Sequence, residues 1–277
     1  MAGLGTRLLP ATRSAPKEML PVVDKPVVQY VVEELADAGV TRVLLVTGRR
    51  KRAIEDHFDG DPTLGLNPIP GDGLQLLYTR QSRPAGLGDA VAHGEGFAGG
   101  GGDVVVALGD AIIESPAAGS RPGIVARLIE AHERHSASAT LAVTEVATEE
   151  VANYGIALGS PLAEGVLEVS RLVEKPAAGS VDSRLAVAAR YVLGPDVFTA
   201  LRDVTPDARG EIQLTDAIQA VIDGGGRVLA VPLRAGERRH DIGTVEGYCS
   251  TFLDHALRHP VLGERLRAHA AAVLDER

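Results

Sequence analysis

The sequence predicts an α/β fold of alternating strands and helices, and three observations carry that reading. Between residues 27 and 47 the hydrophobic period changes: Val28, Val31, Val32 and Leu35 recur at helical spacing, Gly39 stands where a C-terminal cap belongs, and Val43-Leu44-Leu45-Val46 then runs without a break. An unbroken apolar run of that length suits a parallel strand buried on both faces. A second such run, 103–108 (DVVVAL), ends at Gly109-Asp110. The alternation continues to about residue 232, and strand–helix–strand succession is the pattern of a doubly wound sheet.

Taken in order, the helix over 27–38 and the strand over 43–47 precede a short helix at 51–58 and a breaker-rich loop, 60–73 (GDPTLGLNPIPGDG). Residues 74–80 read as a strand, and a helix follows Gly86-Leu87-Gly88 to about Phe97. Four glycines, 99–102, form a loop before the strand at 103–108. A helix over 123–135 leads to strands at 139–146, 156–158, 166–173 and 185–193. A helix starts at Pro195, another opens within 210–217, and 227–232 is the last strand. Helices over 245–259 and 261–274 end the chain, so the expected division is an α/β domain over 1–244 with the helices of 245–277 packed on it.

The 277 residues are 45% hydrophobic and 23% charged, enough for one large core. No apolar run is long enough to span a membrane, and the opening residues lack a signal peptide's apolar segment, so a cytoplasmic protein without membrane contact is expected. A single cysteine, Cys249, excludes a disulfide framework and a thiol-built metal cluster. A net charge of −9 argues against a nucleic-acid surface, and 3% aromatics with no tryptophan argue against base-stacking platforms. An anionic substrate must therefore be held by local cations or a metal.

The stretch 2–21 (AGLGTRLLPATRSAPKEMLP) concentrates the chemistry. Gly3 and Gly5 allow a tight turn with approachable amides, and Arg7, Arg13 and Lys17 follow with no acid until Glu18. Amide-rich turns beside fixed cations hold polyphosphates. The string is neither G-x-x-x-x-G-K-[ST] nor G-x-G-x-x-G, and as a glycine loop alone it also reads as a solvated turn. Pro16 and Pro21 bound the segment carrying Lys17, and that rigidity would aim the ammonium. Asp110 stands at the carboxyl end of a strand, where open α/β sheets bind ligands. Its carboxylate suits Mg²⁺, which takes oxygen ligands from one or two carboxylates and from substrate phosphates; it equally suits a helix N-cap. Gln81 reads alone as an exposed strand end, and Glu174-Lys175-Pro176 as a surface ion pair before a turn.

Together these strings resemble the sugar-nucleotide pyrophosphorylases, most closely the bacterial UTP–glucose-1-phosphate uridylyltransferases. Ala2-Gly3-Leu4-Gly5-Thr6-Arg7-Leu8-Leu9-Pro10-Ala11-Thr12 follows A-G-x-G-T-R-L-x-P-x-T, and Pro16-Lys17-Glu18-Met19-Leu20-Pro21 follows P-K-x-M-L-P. Gln81 and Gly86 fit Q-x(4)-G-L-G-[HQ]-A-V, with Asp89 replacing the usual histidine. Leu108-Gly109-Asp110, Tyr154-Gly155 and Glu174-Lys175-Pro176 match in turn, and 210–217 (GEIQLTDA) follows G-E-x-Q-L-T-D-A at every fixed position. Asp241-Ile242-Gly243 supplies the D-x-G string, with His240, read as a packed side chain, in place of an aromatic.

The resemblance spans nearly all of 1–260. It implies a Rossmann-like mixed, mostly parallel sheet flanked by helices, and Mg²⁺-dependent synthesis of UDP-glucose and pyrophosphate from UTP and glucose-1-phosphate by a homo-oligomer. It assigns Mg²⁺ to Asp110 and Asp241, the leaving phosphates to Arg7 and the Gly3–Gly5 amides, and charge stabilisation to Lys17 and Lys175. Ala2, Gly3, Gln81 and Gly86 would line the base; Gly155 and Glu174 would orient the sugar. The 210–217 string would open a helix and shape the pocket wall.

The chain also departs from the family. Its 60–73 loop replaces a longer helical insertion, and Arg184 and Ala189 stand at asparagine and glycine positions on the sugar side. Relatives carry a strand before the glycine loop, which here starts at Ala2; a first strand missing from a shortened version of the working protein is therefore expected, leaving 43–47 unpaired on one side. Two other readings stay open: thymidylyl transfer to the same sugar phosphate, and a catalytically weak regulatory paralogue that binds sugar nucleotide. The presence of Arg7, Lys17, Asp110, Lys175 and Asp241 weighs against the second.

Overall fold

A computed structural model of the chain describes residues 5–60, 69, 73–99, 101–115, 122–163, 165–177 and 179–276. Ala2, Gly3 and most of the 60–73 loop lie outside them. Three short 3-10 turns (Thr6–Leu8, Ala11–Arg13, Lys17–Met19) lead to a small hairpin, β1 (Pro21–Val22) and β2 (Lys25–Pro26). Then follow α1 (Val27–Asp37), β3 (Arg42–Thr47), α2 (Arg52–Phe58), β4 (Gln75–Arg80), α3 (Leu87–Ala92), β5 (Val104–Ala107), β6 (Ala111–Glu114), α4 (Ile124–His135) and β7 (Ala139–Glu145). The second half holds β8 (Gly155–Ala163), β9 (Val166–Glu174), β10 (Leu185–Leu193), α5 (Pro195–Leu201), α6 (Leu214–Asp223), β11 (Val228–Pro232), β12 (Arg238–Asp241), α7 (Val245–Arg258) and α8 (Gly263–Asp275).

The predicted mixed α/β architecture is present. Six strands are ordered β5-β10-β7-β11-β9-β8, with β10 also touching β8. β7 and β11 are parallel, as are β3 and β4 in a separate pair. The strands from β8 to β10 bring antiparallel pairing, because the β8–β9 hairpin reverses the chain and β10 returns between β5 and β7. Among the described residues β3 has a strand partner only in β4, and β5 only in β10.

At the centre of the sheet, in β10, β7 and β11, both faces are largely buried, as suits their mainly apolar sequences. Leu141 and Val143 of β7 pack on one side with α5 and α6, while Ala142 packs on the other with α1 and α4. α1 turns Val28, Val32 and Leu35 into that second core, and Gly39, at φ 85, ends it as its period predicts.

Three local differences from the expected elements have physical causes. α3 stops at Ala92 rather than near 97, where Gly94 and Gly96 turn the chain. β8 extends to Ala163 through Gly159, Ser160 and Pro161, since pairing with β9 overrides these local breakers. β6 and β12 form an antiparallel ribbon that no periodicity announced; β12 is Arg-Arg-His-Asp, held by its partner and not by apolar pattern.

β10 carries a register shift between Val187 and Tyr191, and Ala189 within it adopts φ 61. That left-handed conformation is one that glycine adopts without the steric cost alanine bears. Ala189→Gly is expected to raise stability by up to about 1 kcal/mol, measured by denaturant melting.

Candidate active site

The N-terminal turn is set by Gly5, at φ 65, whose carbonyl accepts a hydrogen bond from Thr12 Oγ1 at 2.7 Å. Buried Leu8 anchors the turn, and Arg7 beside it is exposed. Lys17, in the third 3-10 turn, extends its ammonium onto Asp110 Oδ2. Burial works against both charges, yet each holds the other: the Asp110 carboxyl lies below the usual range and the Lys17 ammonium above its own. The next residue, Glu18, is 1% exposed and accepts two hydrogen bonds from Lys51 Nζ at 2.7 and 2.8 Å. This buried pair tethers the Lys17 segment to the chain after β3, while burial pushes the Lys51 ammonium down.

Asp110 sits in the turn from β5 to β6, and Asp241 ends β12. The ribbon register pairs Asp241 with Ala111, and Ile242 N donates to Asp110 O at 3.4 Å, so the two aspartates share one ribbon end. The field of Asp241 reaches Lys17. Asp241 Oδ1 accepts from Gly243 N at 2.8 Å and Oδ2 from Arg239 Nη2 at 2.9 Å. Two neighbouring carboxylates offering only oxygen are the donor set a hard cation takes.

Arg190, which sequence reading passed over, organises the same turn. It is wholly buried, bonds Glu34 Oε2 through Nη2 (2.6 Å) and Nε (3.0 Å), and donates to the carbonyls of Ala189, Leu108 and Ala111. It therefore grips the backbone on both sides of Gly109-Asp110. One signal was legible: a lone arginine inside the strand LAVAARYVL.

At the end of β4, Gln81 is buried rather than exposed. Its Nε2 donates to Asp89 Oδ2 at 2.5 Å and to Gly86 O at 3.2 Å, and its Oε1 is buried without a partner among the described residues. Gly86 adopts φ 96, and a side chain there would meet Ile212 O at 2.4 Å. Gly88 N bonds Ile212 O, and Ile212 N bonds Ala85 O, both at 2.8 Å. The GEIQLTDA string thus staples the 85–88 turn before opening α6.

On the other side, Gly155 pairs with Glu174 across β8 and β9, and a β-carbon on Gly155 would lie 3.2 Å from Glu174 Oε2. Glu174 Oε2 accepts from Thr215 Oγ1 at 2.8 Å, and Oε1 from Lys175 Nζ at 2.6 Å. Lys175, half exposed, holds φ 42, a costly conformation outside glycine. The buried Tyr191 hydroxyl has its pKa pushed up by burial and by Glu174, with Asp110 also contributing, so both carboxylates lie within electrostatic reach of one group. Arg184 turns to Glu145 at the surface, and His240 is packed, bonded to Glu114 at 3.1 Å. Ala2 and Gly3 lie outside the described residues.

A lysine-bound carboxylate at a strand end of a mixed α/β fold is an arrangement suited to holding phosphates and a hard cation. The chain belongs to the nucleotidyl transferase family, whose model matches residues 1–256. It is 41% identical over 281 residues to UTP–glucose-1-phosphate uridylyltransferase 2 of Streptococcus pyogenes serotype M3, covering 97% of this chain and 92% of that protein. Among solved structures it is similar to a UDP-glucose pyrophosphorylase complexed with UDP-glucose (37% identity, TM-score 0.84, 93% and 97% of the two chains). It is also similar to the UTP-bound UGPase from Acinetobacter baumannii (32% identity, TM-score 0.85, 98% and 96%). No helix among the described residues is long and apolar enough to cross a membrane.

Proposed function

We propose that this chain transfers the uridylyl group of UTP to glucose-1-phosphate, releasing pyrophosphate. The observation that carries the reading is the ribbon end where Asp110 meets Lys17 beside Asp241. A sugar-phosphate oxygen attacks the α-phosphorus, the bond to pyrophosphate breaks, and no protein nucleophile is required. Catalysis then rests on positioning and charge neutralisation. Asp110 and Asp241 would hold Mg²⁺, which supplies charge neutralisation at the phosphates. Lys17 stabilises negative charge at the α-phosphate; Arg7 and the Gly3–Gly5 amides take the departing phosphates. Gln81 and the Gly86 turn, with Ala2 and Gly3, receive the base. Gly155 and Glu174 orient the sugar, and Lys175 neutralises its phosphate. The enzyme acts in the cytoplasm, with 245–277 as helices packed on one catalytic domain. Exposed Leu253, Val261 and Leu274 on and between α7 and α8 support a homo-oligomer, which light scattering would measure.

The test is pyrophosphate release by the purified chain with each nucleoside triphosphate and sugar-1-phosphate. UTP with glucose-1-phosphate should give the highest kcat/KM; a preference for TTP, or nucleotide binding without turnover, would overturn the reading. Lys175→Ala should chiefly weaken sugar-phosphate use, with kcat/KM lowered by about 2–4 kcal/mol in barrier terms. Unchanged KM and kcat for the sugar phosphate would reduce Glu174-Lys175-Pro176 to a turn.

A further inference from the structure

We propose that the buried Lys51–Glu18 pair is a positioning device for Lys17, holding that ammonium where the transfer step needs it. This rests on the reading of Lys17 as the group that stabilises charge at the α-phosphate. Glu18 is 1% exposed and Lys51 6%, and both carboxylate oxygens accept from the one ammonium, at 2.7 and 2.8 Å. Lys51 comes 33 positions after Glu18, in the turn that follows β3. The chain is bent there to bring Lys51 inward: Arg50 holds φ 69, a left-handed conformation that an arginine adopts at a cost. Ile54 and Phe58 of α2, 0% and 2% exposed, root the far side of that turn in the core. The pair therefore joins the 3-10 turn Lys17–Met19 to a fixed element.

Stability is a poor reason for such a pair. Taking two charges out of water costs about what their attraction returns, and apolar side chains of similar volume often do as well or better. Apolar anchors are already in place, since Met19 packs against the core that holds α2 and Leu20 is 9% exposed. Such contacts are not directional and let a turn roll over its neighbours, whereas a carboxylate bonded at both oxygens holds one orientation. Lys17 is the adjacent residue, and its ammonium stands at the end of a four-carbon stem. A small roll of the turn is magnified along that stem, and a misplacement of about 1 Å can cost about 10²-fold in rate. The pair is neutral as a whole, so removing both members frees the turn without changing the net charge around Lys17.

The experiment is a double-mutant cycle on the full chain, with pyrophosphate release measured from UTP and glucose-1-phosphate and rates taken per folded molecule. The apolar pair Lys51→Met/Glu18→Leu should melt close to the wild type. Its kcat should nevertheless fall by about tenfold to 10²-fold, with both KM values changed by less than about twofold. In the Lys17→Ala background the same pair should cost less than about twofold more, since the group it positions is gone. Glu18→Gln keeps the side chain's shape and one neutral acceptor for Lys51; it runs through the same cycle with an expected loss of about threefold or more, and it decides the matter if the apolar pair does not fold. A merely structural pair would lower the melting temperature and leave the kcat of the folded enzyme alone. Wild-type kcat in the deciding variant, a loss confined to KM, or a loss of equal size with and without Lys17 would overturn the role of the pair while the reading of Lys17 stands. Wild-type kcat in Lys17→Ala alone would overturn that reading, and the proposal with it.

Discussion

Replacing Asp110 by asparagine is expected to cut turnover by about 10²–10³-fold, the scale of losing one preorganised charge contact at a reacting phosphate. The carboxylate carries two loads, the Lys17 ammonium and the proposed Mg²⁺, and asparagine keeps its shape without its charge. Two companions separate those loads. Lys17→Ala should depress transfer while leaving the Mg²⁺ dependence near that of the wild type. Asp241→Asn, which leaves the Lys17–Asp110 pair in place, should cut turnover similarly and raise the Mg²⁺ needed for half-maximal rate. Pyrophosphate release across a Mg²⁺ titration measures all three, and chelator should silence the wild type reversibly. Wild-type-like turnover by both aspartate variants at ordinary Mg²⁺ would remove them as ligands.

Arg190→Met should destabilise the whole domain by about 3–5 kcal/mol, the cost of breaking a buried ion pair from one side. Glu34 would keep a poorly solvated carboxylate, whose pKa burial already pushes up against the pull of Arg190. The Leu108, Ala189 and Ala111 carbonyls would lose their donor together. Against a typical stability of about 5–15 kcal/mol this is a large share, and the melting temperature should drop by roughly 6 °C or more. The double variant Arg190→Met/Glu34→Leu should recover much of the loss, since removing both charges spares the stranded one. A single variant as stable as the wild type would show that the turn stands without Arg190.

Much of the frame was legible because it depends on near neighbours. The spacing of Val28, Val31, Val32 and Leu35 with Gly39 is enough for α1, and the short apolar run at 43–47 is enough for a buried parallel strand. The 85–88 turn and GEIQLTDA are legible as separate strings, but nothing local indicates that Ile212 bonds Ala85 and Gly88. β12 was missed for the same reason: a polar tetrapeptide becomes a strand only when β6 offers its edge.

The sequence by itself determined the fold class, the order of most elements, the glycine turn with its cations, and a net charge that leaves anion binding to local groups. These follow from residue type and periods of a few residues. The tertiary structure alone decided that Asp110 and Asp241 share a ribbon end, that Glu18 is buried on Lys51, that Gln81 is buried with a fixed amide, and that Arg190 reaches Glu34 across 156 positions of chain. Such contacts are selected by the packing of two cores against one sheet, and a charge buried far from its partner in sequence leaves no periodic trace.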